Sequence, residues 1–152
     1  WSYLDPDLLC RVMNEVPGVI GVKQSAGDVK LFADLMIKIK PGQLVFSACD
    51  ALLYPCYSLG AHGAIAAILT AAPKASVELW NAVQAGDHER ALDLHERLLV
   101  LWNAMIGGED LPAATKSAQA AQGVASGMPR MPMKMPLPAR QAGIRDALKG
   151  LT

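Results

Sequence analysis

Net charge is absent from this sequence: 14 lysine and arginine residues balance 14 aspartate and glutamate residues. That removes the electrostatic attraction on which nucleic acid or an anionic membrane surface depends, and a small, neutral or locally steered ligand is expected instead. No uninterrupted apolar run reaches the roughly 18 residues needed to span a bilayer. The opening Trp1-Ser2-Tyr3-Leu4-Asp5 has no charged-then-apolar leader. A cytoplasmic, soluble protein with no nucleic-acid or membrane partner is therefore expected. Cysteine is scarce and odd in number; Cys10, Cys49 and Cys56 form no CxxC pair and have no histidine at metal-ligand spacing, so they read as reduced and mostly structural. His62, His88 and His95 are dispersed, the last two on a helix face expected to be solvated, and no metal site is assigned. The chain also lacks an initial methionine and opens directly onto a helix signal, which is the expectation for a fragment.

What is present is enough apolar material for one core: 52% of 152 residues are hydrophobic. Asp5-Pro6 followed by Leu8, Leu9, Val12, Met13 and Val16 predicts a helix over 5–15, ended by Pro17-Gly18. Val19-Ile20-Gly21-Val22-Lys23 is a short β-branched run suited to a strand buried on both faces, with the lysine as its last residue. Asp28 then caps a helix over 28–40, closed by Pro41-Gly42. The unit repeats as a strand at 44–46, a helix at 50–59 and a strand at 63–66. Beyond Pro73 only helical stripes remain, over 73–85, 88–105, 112–122 and 138–149, with a segment from Met128 to Pro138 too proline-dense for helix. The fold class is α/β, with parallel strands joined by right-handed crossovers.

Lys23 stands at a strand end, either snorkelling its amine to solvent or placed for chemistry. Position alone leaves both readings open. The surrounding motifs do more. Gly21-Val22-Lys23-Gln24-Ser25-Ala26-Gly27-Asp28 resembles the G-[IV]-K-x-[ST]-x-x-D signature of the dihydrodipicolinate synthase and N-acetylneuraminate lyase family, whose members form Schiff bases. Ser47-Ala48-Cys49-Asp50, Leu59-Gly60-Ala61-His62-Gly63-Ala64-Ile65, Leu111-Pro112-Ala113-Ala114-Thr115-Lys116 and Arg130-Met131-Pro132-Met133 are similar to further family segments, in order and at family-like spacing.

The resemblance implies the C-terminal part of a (β/α)8 TIM barrel. On this reading residues 1–72 hold the last three β-α units, and residues 73–152 hold the final barrel helix and a C-terminal helical region. Three strands cannot close a barrel, and about 250 residues are needed for a whole one. By the same resemblance the chain is a lyase of the class I aldolase type, with no metal and no organic cofactor. Lys23 condenses with the ketone of pyruvate or another 2-keto acid, Ile65 places a backbone carbonyl near the imine, and the turn from Ala48 to Asp50 contacts substrate. The plain alternatives are that Ile65 is a buried strand residue and Asp50 a helix N-cap.

The attacking amine must be neutral. A lysine of ordinary pKa, about 10.4, is neutral about once in 2,500 at pH 7. Desolvation by Val19, Ile20, Val22, Phe46 and Ile65 is expected to favour the neutral amine. The label the resemblance favours is 4-hydroxy-tetrahydrodipicolinate synthase. A sugar-acid aldolase or dehydratase of the same family and a non-catalytic truncated fragment remain open, because Ala48 replaces the usual glycine and Thr70 a common asparagine. The family's proton-relay tyrosine and carboxylate-holding hydroxyls are expected upstream of this chain, and Tyr3, Tyr54 and Tyr57 match none of them. A homo-oligomer, dimer or tetramer, is expected of the full-length form.

Overall fold

In a computed structural model, residues 3–107 and 110–151 are described. The chain forms two compact units, one extending to Ala66 and one beginning at Ala67.

The first unit is built from helix starts and short strands that the sequence marks clearly. Asp5 lies in extended conformation and its carboxylate accepts the Leu8 N–H at 2.8 Å, so α1 (Pro6–Glu15) begins with a side-chain cap and a proline in its first turn. Asp28 does the same for α2 (Val29–Lys38), accepting from Lys30 and Leu31. Between and after them run β1 (Gly21–Gln24), β2 (Leu44–Ser47) and β3 (Gly63–Ala64). They form one parallel sheet in the order β1-β2-β3, with Lys23 opposite Phe46 and Phe46 opposite Gly63. Helix α1 packs on β1, α3 (Leu53–Ser58) packs on β2, and α2 lies against both helices.

Strand alternation sorts the sheet into two faces. Val45, Ser47 and Gln24 point to the side that is buried, as do Phe32 and Leu35 of α2 and Leu53, Cys56 and Tyr57 of α3. Gly21, Lys23, Leu44, Phe46, Gly63 and Ile65 share the other side, where Lys23 is exposed and Ile65 is 51% exposed.

Several boundaries differ from the sequence expectation for local reasons. Val19 is tied into the turn after α1 by its N–H to the Val16 carbonyl, so the ladder starts later, with the Ile20 carbonyl accepting from Leu44. At the other end β1 runs past Lys23 to Gln24, whose carbonyl accepts the Ala48 N–H. Lys23 is therefore the penultimate residue of its strand, not the last. The helix expected over 50–59 is a 3-10 turn, Asp50–Leu52, followed by α3; Cys49 occupies the N-cap position without a side-chain bond, and Asp50 is the first helical residue, not the cap. The third strand is two residues long, although Ile65 still donates to the Ser47 carbonyl at 2.8 Å.

The second unit is helical: α4 (Ala67–Ala71), α5 (Pro73–Gln84), α6 (His88–Met105), α7 (Leu111–Ala121) and α8 (Pro138–Ala147). Helix α4 was not foreseen, because five residues are too few to show a period. Helices α5 and α6 pair, and α4, α7 and α8 pack with them around Leu79, Leu94, Leu98, Leu101, Met105 and Ile144. The alanines Ala113, Ala114 and Ala118 let α7 approach its neighbours closely and are fully buried. The proline- and methionine-rich segment between α7 and α8 forms no helix or strand, as its composition predicts. The Gly107-Gly108 pair, a helix break by composition, follows α6, with Gly108 outside the described residues.

Candidate functional site

The four residues singled out from the sequence all lie at the carboxyl ends of the strands in the first unit. Lys23 is in β1, level with Phe46 in β2 and Gly63 in β3. Ala48 and Ile65 each follow that level by two residues, and both continue the ladder: Ala48 donates to the Gln24 carbonyl at 3.0 Å and Ile65 to the Ser47 carbonyl at 2.8 Å. Alternation therefore aims Lys23, Ala48 and Ile65 to one side of the sheet. Asp50 stands two residues beyond Ala48, at the start of the 3-10 turn.

The expected desolvation of Lys23 is not what the described residues provide. Lys23 is exposed, Ile20 is 63% exposed and Ile65 is half exposed. The apolar cover lies on the opposite face, because α1 and α3 pack there. The reading of Ile65 as a buried strand residue is corrected in the same way: its side chain is open while its N–H is held in the ladder.

Two glycines allow the sheet to present this face. A Cβ on Gly21 would lie 2.8 Å from the Leu44 carbonyl oxygen, and one on Gly63 would lie 3.2 Å from the Phe46 ring. Only hydrogen fits at Gly21 without moving backbone.

The turn after Lys23 is organised by its neighbour. The Gln24 side-chain carbonyl accepts the Ala26 N–H at 2.8 Å, folding the chain back before Asp28 caps α2. Gly27 follows with φ +71°, and a Cβ there would lie 4.0 Å from the Cys49 sulfur, so the loop after β1 and the loop after β2 meet at this point. Burial pushes the Cys56 thiol up from its ordinary pKa; the Ser47 hydroxyl beside it opposes this in part, and Cys49 adds to it. Burial likewise pushes the Tyr57 phenol up to about 12, with Cys56 contributing. Both groups are neutral filling under the sheet at neutral pH.

Gln24 and His62 escaped the sequence reading. His62 was one of three scattered histidines, yet its Nδ1 accepts the Val45 N–H at 3.1 Å. A polar residue immediately before a short strand was the only signal. Among the described residues no group of three or more His, Cys, Asp or Glu side chains is arranged to hold a metal ion. No helix among them is long and apolar enough to cross a membrane.

A parallel sheet with crossover helices on one face and a lysine at the carboxyl end of a strand on the other defines three β-α units of a TIM barrel, followed by a helical region. Residues 2–149 match the model of the Dihydrodipicolinate synthetase family, and the chain belongs to that family. It is 31% identical, over 97% of its own length, to the 4-hydroxy-tetrahydrodipicolinate synthase of Methanopyrus kandleri, of which it covers 49%. A crystal structure of dihydrodipicolinate synthase superposes with a TM-score of 0.85 at 27% identity, covering 99% of this chain and 52% of that one. A prophage protein of the dihydrodipicolinic acid synthase family from E. coli K12, solved in complex with pyruvate, gives a TM-score of 0.84 at 25% identity, covering 97% of this chain and 51% of that one. The chain thus spans about half the length of the relatives it matches, as expected of a C-terminal portion.

Proposed function

We propose that this chain carries the nucleophile of a lyase that condenses or cleaves pyruvate or a related 2-keto acid through an imine on Lys23. The neutral amine adds to the ketone carbon, the carbinolamine loses water, and the resulting iminium draws electrons from the adjacent carbon. The observation that carries this reading is the placement of Lys23: near the carboxyl end of β1, on the sheet face that bears Gly21, Gly63 and Ile65, inside the segment Gly21 to Asp28 that resembles the family signature.

Membership of the family supports it, as does the pyruvate in the E. coli K12 relative. On this reading the Ile65 carbonyl lies near the imine, and the turn from Ala48 to Asp50 contacts substrate. The favoured activity is that of 4-hydroxy-tetrahydrodipicolinate synthase, in a cytoplasmic homo-oligomer. Ala48 adds a methyl group to the substrate turn, and a sugar-acid aldolase or dehydratase fits the same nucleophile.

The exposure of Lys23 favours a second statement about the chain taken alone: it is non-catalytic until the remaining strands of a barrel cover this face and dry the amine. The test is mass spectrometry after incubation with pyruvate and borohydride. A stable adduct on Lys23 that disappears in Lys23→Ala supports the proposal. Absence of any adduct from a version that also carries the other half of the relatives' length overturns it. An adduct seen only in that longer version supports the second statement.

A further inference from the structure

We propose that a buried water molecule bridges Gln24 and Ser47 beneath the sheet and ties β1 to β2 at the level of Lys23. Both side chains are more than nine-tenths buried, at 8% and 1% exposure, and both lie on the helix-covered face. They are register partners on adjacent strands. Gln24 Nε2 has no hydrogen-bond partner among the described residues, and Ser47 Oγ has beside it only the weak Cys56 sulfur, which leaves its lone pairs unused. Buried polar atoms in this condition are few in folded proteins, and the common remedy is an ordered water.

The orientation of the Gln24 amide is fixed. Its Oε1 receives the Ala26 N–H at 2.8 Å, and turning the amide over would aim one N–H at another. Its two Nε2 hydrogens therefore point away from Ala26 with nothing to donate to. The two side chains make no direct bond to each other, and partners on strands about 4.8 Å apart are close enough for one water to bond to both. Such a water accepts from Gln24 Nε2 and donates to Ser47 Oγ. The Ser47 hydroxyl keeps its own hydrogen for the Cys56 sulfur beside it.

The bridge has a structural consequence. Gln24 is held at both ends, by Ala26 through Oε1 and by β2 through the water, so the turn that follows Lys23 is tied to the middle strand. The site lies opposite the face that presents Lys23, and it stands whether or not that lysine forms an imine.

A crystal structure at a resolution that shows ordered water is the direct test. Density within hydrogen-bond distance of both Gln24 Nε2 and Ser47 Oγ is expected. A direct bond between the two side chains, or a protein acceptor on Nε2 with no water beside Ser47, overturns the proposal. In solution, Ser47→Ala and Gln24→Met each release the same water, so the melting-temperature loss of the double variant falls short of the sum of the single losses; additive losses count against the bridge. Should Gln24→Met fail to fold, nuclear Overhauser contacts in the wild type decide. A contact between long-lived water and the Gln24 side-chain amide is expected, and its absence from an assigned spectrum overturns the proposal.

Discussion

His62 exchanges two hydrogen bonds with Val45: its N–H donates to the Val45 carbonyl at 2.8 Å, and its ring Nδ1 accepts the Val45 N–H at 3.1 Å. The imidazole thus supplies an acceptor to the middle strand, where the two-residue β3 has not yet begun. Replacing it with leucine removes that acceptor and leaves a part-buried donor unpaired. His62→Leu is expected to cost about 1 kcal/mol, while His62→Asn, which keeps a carbonyl acceptor near the backbone, recovers part of the loss. Denaturant unfolding measures the cost. Hydrogen exchange at the Val45 amide localises it, and unchanged protection there in His62→Leu counts against the assignment.

Two glycines of the first unit, one in β1 and one in the turn before β2, separate collision from strain. Gly21→Ala drives a methyl group to within 2.8 Å of the Leu44 carbonyl oxygen, a backbone atom held in the ladder, so a loss of about 2 kcal/mol is expected. Gly42 has φ +87° with open space around it, and Gly42→Ala pays only the left-handed backbone penalty, about 1 kcal/mol. Chemical denaturation of the two variants side by side checks the ranking. A Gly21→Ala variant as stable as the wild type would show that contact with Leu44 adds nothing.

The parts of this structure legible in the sequence are those written in short-range chemistry. Asp5 and Asp28 announce their helices because a capping carboxylate acts within three residues, and both make the expected bonds. The long helices α5 and α6 follow from period, and their observed bounds lie within a residue of expectation. What the sequence hid depends on partners distant along the chain. The end of β1 was misplaced because Gln24 joins the strand only through Ala48 and Ser47. The desolvation of Lys23 was misjudged because apolar neighbours in sequence do not reveal which face the helices cover. Gln24 itself looked like the variable position of a motif, and its role emerges only from burial and register.

In the helical unit, Arg140 gathers three chain segments. Its guanidinium meets both oxygens of Asp110 at 2.7 and 2.9 Å, donates to the Ala104 carbonyl at 3.4 Å and also reaches the Met105 carbonyl. It therefore closes the end of α6 and fixes the start of α7 from α8. The pair is about three-quarters buried, with side chains 23% and 24% exposed. Arg140→Ala is expected to cost about 2 kcal/mol, less than a fully buried pair because water still reaches both groups. Arg140→Lys recovers under half of that, since one ammonium cannot serve a carboxylate and two carbonyls in the same geometry. Urea unfolding followed by circular dichroism gives both values, and full recovery by lysine would reduce the clamp to a simple charge pair.

The pH dependence of stability has opposite signs at two positions. Burial lowers the His95 pKa below 6.5, with Glu96 opposing it, so the folded state prefers the neutral ring. The stability tied to that preference is present above about pH 6.5 and is lost as pH falls through the folded value. Burial raises Tyr57 to about 12 from an ordinary value of about 10, so its contribution is complete below pH 10 and is lost as pH rises from 10 towards 12. Thermal melts separate the two. Between pH 7.5 and 5 the wild type is expected to lose more melting temperature than His95→Gln, and between pH 9 and 12 more than Tyr57→Phe. A His95→Gln curve parallel to the wild type across the acid range would remove that histidine as a source of acid sensitivity, and a parallel Tyr57→Phe curve above pH 9 would do the same for the tyrosine in alkali.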